Sequence, residues 1–81
     1  MDTTERLMQM QNAVFDLYGY RSRPAGREWA SMVLDLARRI IAEGLAEKIT
    51  EETLDDLTRE NFHTVGTAAE IAKALFDAGG D

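Results

Sequence analysis

Few side chains in this chain can do chemistry, and one hydroxyl stands apart from the rest. Ser31, Asp35, Arg38 and Ala42 recur at i, i+4, i+7 and i+11, a spacing that aligns them along one side of a helix. Within REWASMVLDLARRIIAEGL, residues 27–45, that strip is the only polar one, so it sets Ser31 toward solvent. A serine in this setting suits attachment or contact. Nucleophilic attack would need an activating base, and the chain has no cysteine and a single histidine, His63. Thiolate zinc sites and imidazole metal clusters are thereby excluded, no metal site is expected, and the chain does not read as an enzyme. His63 lies between Phe62 and Val65, and is expected exposed or hydrogen-bonded in a turn.

Two further charged groups carry a chemical reading. Glu51, Glu52, Asp55, Asp56 and Glu60 form an acidic cluster without the calcium-loop spacing or its central glycine, which makes it a solvated or protein-binding face. The loop YRSRPAG carries Arg21 and Arg23, with Arg27 just after it. They could hold a phosphate or a carboxylate, but no glycine-rich phosphate cradle accompanies them, so they read as solvated charges.

With Lys+Arg 9 against Asp+Glu 15, the net charge is −6 and the pI about 4.6. This argues against a binder of nucleic-acid backbone and toward basic protein partners. No apolar run approaches the ~20 residues of a membrane span, so no membrane association is expected and a cytoplasmic location is the default.

The elements that must position these groups are helices. At 100° per residue, Trp29, Met32, Val33, Leu36, Ala37, Ile40 and Ile41 share one side of the central segment, widened by Leu34 and Leu45 to an arc of about 200°. Covering so wide an arc takes helices from both ends of the chain or a second subunit, giving a monomer or a weak homodimer. Leu7, Met10, Val14 and Leu17, with Phe15 and Tyr18, mark a first helix over 3–18 that Asp2 or Thr3 caps and Gly19 ends. Met8 and Met10 are core filler. The central helix is expected over 27–44, starting no earlier than Pro24. Thr50 caps a short acidic helix over 51–60, with Ile49 reaching Leu54 as a hydrophobic staple. Phe62 and Val65 plug the core from a connector over 61–66. Thr67 and Glu70 form a capping box for a last helix over 67–78, with Ala68, Ile71, Ala72, Leu75 and Phe76 on its inner face and Ala78-Gly79-Gly80 at its end. The expected fold is all-α: one domain over 1–81, a small four-helix bundle with a long central second helix and a short third. Trp29 and Phe62 are expected to be substantially buried.

This layout, with the string KITEETLDDLTRENFHTVGTAAEIAKAL, resembles acyl and peptidyl carrier proteins. The resemblance rests on Ile49 ahead of the acidic helix, on Phe62, and on the Thr64-Val65 pair before the last helix. It also rests on Ala30-Ser31-Met32, where the family has Asp-Ser-Leu or Asp-Ser-Met, at nearly the family spacing from Ile49. Ala30 stands in place of the aspartate, and Arg38 and Arg39 interrupt a helix that is usually acidic. The resemblance implies a 4'-phosphopantetheine arm on Ser31 and partner enzymes of acyl or aminoacyl transfer, meeting Met32, Asp35, Glu51, Glu52, Asp55 and Asp56. The arm would supply the thiol, so a chain without cysteine suffices. The other reading of the same residues is an acidic interaction module, without a prosthetic group, that regulates or inhibits a basic partner.

Overall fold

The computed structural model describes residues 2–19 and 25–79. Among them four α-helices and no strand are found: α1 (Thr3–Tyr18), α2 (Gly26–Ala42), α3 (Glu51–Arg59) and α4 (His63–Gly79), with a 3₁₀ turn at Ala46–Lys48 between α2 and α3. The all-α four-helix architecture expected from periodicity is the one observed. Tyr20 to Pro24 of the arginine loop, and Gly80, lie outside the described residues.

Local chemistry accounts for most helix ends. The Asp2 carboxylate accepts the Glu5 N–H at 2.8 Å, and Gly19 closes α1 in the left-handed region at φ 76°. At the end of α2, Gly44 (φ 73°) donates its N–H to the Ile41 carbonyl and Leu45 donates to that of Ile40, both at 3.0 Å. That pair of bonds is a Schellman closure, and it sets Leu45 over Ile40, both buried. Thr50 caps α3, with Thr53 as its reciprocal partner in the box. Ile49 is buried before the cap, and Leu54 packs against the same core.

The core gathers Leu7, Met10 and Val14 of α1, Met32, Val33, Leu36, Ala37 and Ile40 of α2, Leu57 of α3, and Val65, Ala68, Ala69 and Ala72 of α4, closed by Leu45, Ala46 and Ile49. The most extensive helix pair is α2 with α4, where the small buried alanines of α4, Ala68, Ala69 and Ala72, let side chains of α2 pack close. The buried residues of α2 cover roughly 140° of its circumference at 100° per residue, less than the 200° expected. Leu34 and Ile41 are left 50% and 43% exposed, because α4 and α1 cover only one side of the helix. Leu17, at 69%, and Tyr18 likewise run past the core in the last turn of α1, as Leu75 and Phe76 do in α4. Trp29 and Phe62 are largely buried, packed against the core from its margin.

The largest departure from expectation is the start of α4, four residues before Thr67. Asn61, at φ 63°, ends α3 in the way Gly44 ends α2: its N–H reaches the Thr58 carbonyl at 3.1 Å and that of Phe62 reaches Leu57 at 2.9 Å. The connector is thereby reduced to three residues, Glu60 to Phe62, and α4 begins at once. Thr67 lies inside the helix, its hydroxyl donating to the His63 carbonyl at 2.9 Å, so it does not cap.

Candidate functional site

Ser31 is exposed on the second turn of α2, at the wall shared by two shallow surface depressions. One, of about 180 Å³, is lined by Tyr18, Arg27, Glu28 and Ser31. The other, of about 400 Å³, is lined by Tyr18, Ser31, Leu34, Asp35 and Arg38. Arg27, grouped with the loop arginines in the sequence, belongs to the first turn of α2. The two depressions meet because Tyr18, the last residue of α1, reaches across to α2 and donates its hydroxyl to Asp35 Oδ2 at 3.0 Å. Arg39 Nε takes the other oxygen of that carboxylate at 3.3 Å. The hydrogen bond to Asp35, and then the carboxylate's charge, raise the Tyr18 pKa above its ordinary 10.0, since both favour the protonated phenol.

Chemically this surface offers a solvent-facing hydroxyl on a rigid helix, with cations on either side along the helix and a carboxylate whose oxygens are both engaged. Neither depression contains an imidazole. A phosphodiester-linked group fits here: the hydroxyl is accessible, the adjoining depression leaves room for an arm, and Arg38 lines it.

The acidic cluster forms a second, separate feature. Glu51, Leu54, Asp55 and Thr58 of α3 face Glu70, Lys73, Ala74 and Asp77 of α4 across a groove of about 480 Å³. Lys73 is tied to Asp77 at 3.1 Å, which leaves the groove predominantly acidic. Glu52 is exposed, and Asp56 pairs with Arg59 at 2.7 Å, a surface ion pair of little energetic weight. Among the described residues no cluster of histidine, cysteine, aspartate or glutamate is arranged to hold a metal ion. His63 is exposed in the first turn of α4.

Of the site residues expected from the sequence, Ser31 and Asp35 share one depression, and Glu51 and Asp55 share the other groove. Glu52, Asp56 and Met32 line neither, and for Met32 the cause is burial. Expected to meet a partner, it is 0% exposed, because its direction on α2 points into the core beside Leu36. Sequence reasoning missed Tyr18 beside Ser31, and it missed Glu70 and Asp77 opposite α3. The i, i+3, i+7 spacing of Glu70, Lys73 and Asp77 carried that second signal. Comparison with protein-family models, with characterised proteins and with solved structures finds no match.

Proposed function

We propose that this protein is a carrier-like domain of the cytoplasm that presents an acyl or aminoacyl group on 4'-phosphopantetheine attached to Ser31. The observation that carries this reading is an exposed serine hydroxyl on the outer face of the long second helix, in a four-helix chain whose third helix is short and acidic. When attached, the arm supplies a thiol that holds cargo as a thioester. The chain's own residues then have limited tasks. Ser31 Oγ would hold the arm through a phosphate ester, made by a transferase from coenzyme A as the pyrophosphate P–O bond breaks, adenosine 3',5'-bisphosphate leaves and the serine proton passes to the transferase. Arg38 would offer a positive charge beside the phosphodiester, and Tyr18 with Asp35 holds the end of α1 against α2. Glu51, Glu52, Asp55 and Asp56 meet basic surfaces on the enzymes that load and unload the arm.

The test is intact-mass measurement after co-expression with a broad-specificity phosphopantetheinyl transferase. A mass increment of one phosphopantetheine is expected, absent from Ser31→Ala. No increment, or one that survives Ser31→Ala, overturns the reading. Ala30 is exposed beside Ser31 where the carrier pattern has aspartate, so Ala30→Asp should speed modification.

The acidic groove between α3 and α4 favours a second reading, an interaction module that binds and regulates a basic protein without a prosthetic group. Its carboxylates come from two helices, Glu51 and Asp55 on one and Glu70 and Asp77 on the other, which is a broader acidic surface than a single solvated helix presents. On this reading Glu52→Lys with Asp55→Lys slows association with the basic partner and flattens its salt dependence. Binding indifferent to that double change would remove it.

A further inference from the structure

The outward side of α2 differs in chemistry from the rest of this acidic molecule. At 100° per residue, Arg27, Ser31, Leu34, Arg38 and Ile41 fall within roughly 80° of arc, directly opposite the buried side of the helix. All are exposed. The two acidic residues of α2, Glu28 and Asp35, lie roughly 80–100° round the helix from Arg27, off this crest; Asp35 is held by Tyr18 and Arg39, and Glu43, just past the helix, by Arg6 at 3.0 Å. Among the described residues neither Arg27 nor Arg38 has an ion-pair partner. In a chain of net charge −6, the crest is thus a strip of two unpaired guanidinium groups with two large aliphatic side chains, Leu34 and Ile41, exposed beside them.

We infer that this crest docks an acidic amphipathic helix of a partner protein. Arg27 and Arg38 stand about 16 Å apart along the axis at ~1.5 Å per residue. A partner helix with carboxylates at the same separation and leucine-like side chains between them meets both arginines while covering Leu34. Charge selects this occupant. A basic or neutral helix would leave the two cations unpaired at a contact that excludes water, whereas planar guanidinium groups take carboxylates bidentately. The inference does not require Ser31 to be modified. It differs in sign from the basic surfaces proposed to meet α3, so a single enzyme using both would present acidic chemistry at α2 and basic chemistry at α3.

The experiment is an NMR titration of the isotopically labelled, unmodified full chain with a synthetic helical peptide bearing glutamates about 16 Å apart on one face and leucines between them. Shift changes confined to residues 27–42 are expected. Arg27→Glu with Arg38→Glu should weaken binding at least ~10-fold, Leu34→Ser should weaken it with the arginines intact, and a peptide with lysine for glutamate should not bind. Arg27→Gln with Arg38→Gln, which removes charge without reversing it, serves if the reversed variant loses its helical circular dichroism. Absence of binding, shifts centred on α3 and α4, or affinity unmoved by the arginine changes would overturn the inference. So would sedimentation showing a wild-type dimer that Arg38→Glu dissociates, since the crest would then belong to a second copy of this chain.

Discussion

Helices α3 and α4 begin in opposite ways. At the start of α3 the cap is local: Thr53 donates its N–H to Thr50 Oγ1, and Thr50 donates its own to Thr53 Oγ1, both at 3.2 Å. At the start of α4 the carbonyl of Phe62 opens the helical ladder, accepting from Gly66 N–H at 2.9 Å, and a phenylalanine side chain has no acceptor to offer. Gln11 of α1 supplies it, its Oε1 accepting the Val65 N–H at 2.8 Å in the buried core. Trp29 of α2 adds a second tie, donating Nε1–H to Thr64 Oγ1 at 2.9 Å. The first start is encoded in four neighbouring residues. The second exists only when α1, α2 and α4 are together, so forming that helix start and assembling the bundle are one event.

This contrast yields a graded set of expected effects. The largest belongs to Trp29→Ala, which removes a largely buried indole and its bond to Thr64. A loss of about 3 kcal/mol in chemical denaturation is expected, at the low end for aromatic truncation because the ring lies at the core margin. A wild-type midpoint would show that α4 does not depend on α2 at this end. Gln11→Ala should cost about 2 kcal/mol, the penalty for stranding the buried Val65 N–H, and hydrogen exchange should accelerate first at the start of α4. Exchange that accelerated evenly throughout would contradict a role specific to that helix.

Thr50→Ala should cost about 1 kcal/mol, as loss of a local cap does, with faster exchange limited to the first turn of α3. Gly66→Ala works in the other direction. A Cβ there would meet Leu57 Cβ at 3.8 Å, an ordinary contact, and alanine improves helix propensity, so a gain of about 0.5–1 kcal/mol is expected. In the Gly66→Ala background the cost of Gln11→Ala should shrink, because α4 then starts more readily by itself; an unchanged double-mutant energy would separate the two effects.

The smallest effect is electrostatic and lies outside both starts. The pKa of Tyr18 is raised in the folded chain by its bond to Asp35, so the contact stabilises the fold below the ordinary tyrosine pKa and is lost as pH rises through the elevated folded value. Titration followed at the Tyr18 ring carbons should place its midpoint above 10.0 and return it toward that value in Asp35→Asn.

Much of the candidate site was legible from spacing because it lies on helices with local determinants. The exposure of Ser31 follows from its phase on α2, and the acidic side of α3 follows from Thr50 and the carboxylates after it. Reading Leu34, Ile41, Leu75 and Phe76 as core failed for a physical reason: periodicity shows which side chains are apolar, while the number and reach of neighbouring helices decide which are covered. Met32 was read correctly by its phase, on the apolar side of α2, while the partner-facing role that the carrier resemblance implied for it fails, since adjacency to Ser31 in sequence is a rotation of about 100° on a helix.

What the sequence alone determined is therefore local: the four helical segments, a cap at Asp2 or Thr3, the cap at Thr50, the glycine at the end of α1, and the phase that turns Ser31 outward. Each depends on residues within one or two turns of one another. Tertiary structure decided where α4 starts, that Glu70 and Asp77 face Glu51 and Asp55 across a groove, and that Tyr18 adjoins Ser31. It also left Arg27, Leu34, Arg38 and Ile41 together on an uncovered crest. These depend on groups far apart in the chain, and Gln11 shows why no local pattern announces them: the acceptor that starts the last helix sits in the first.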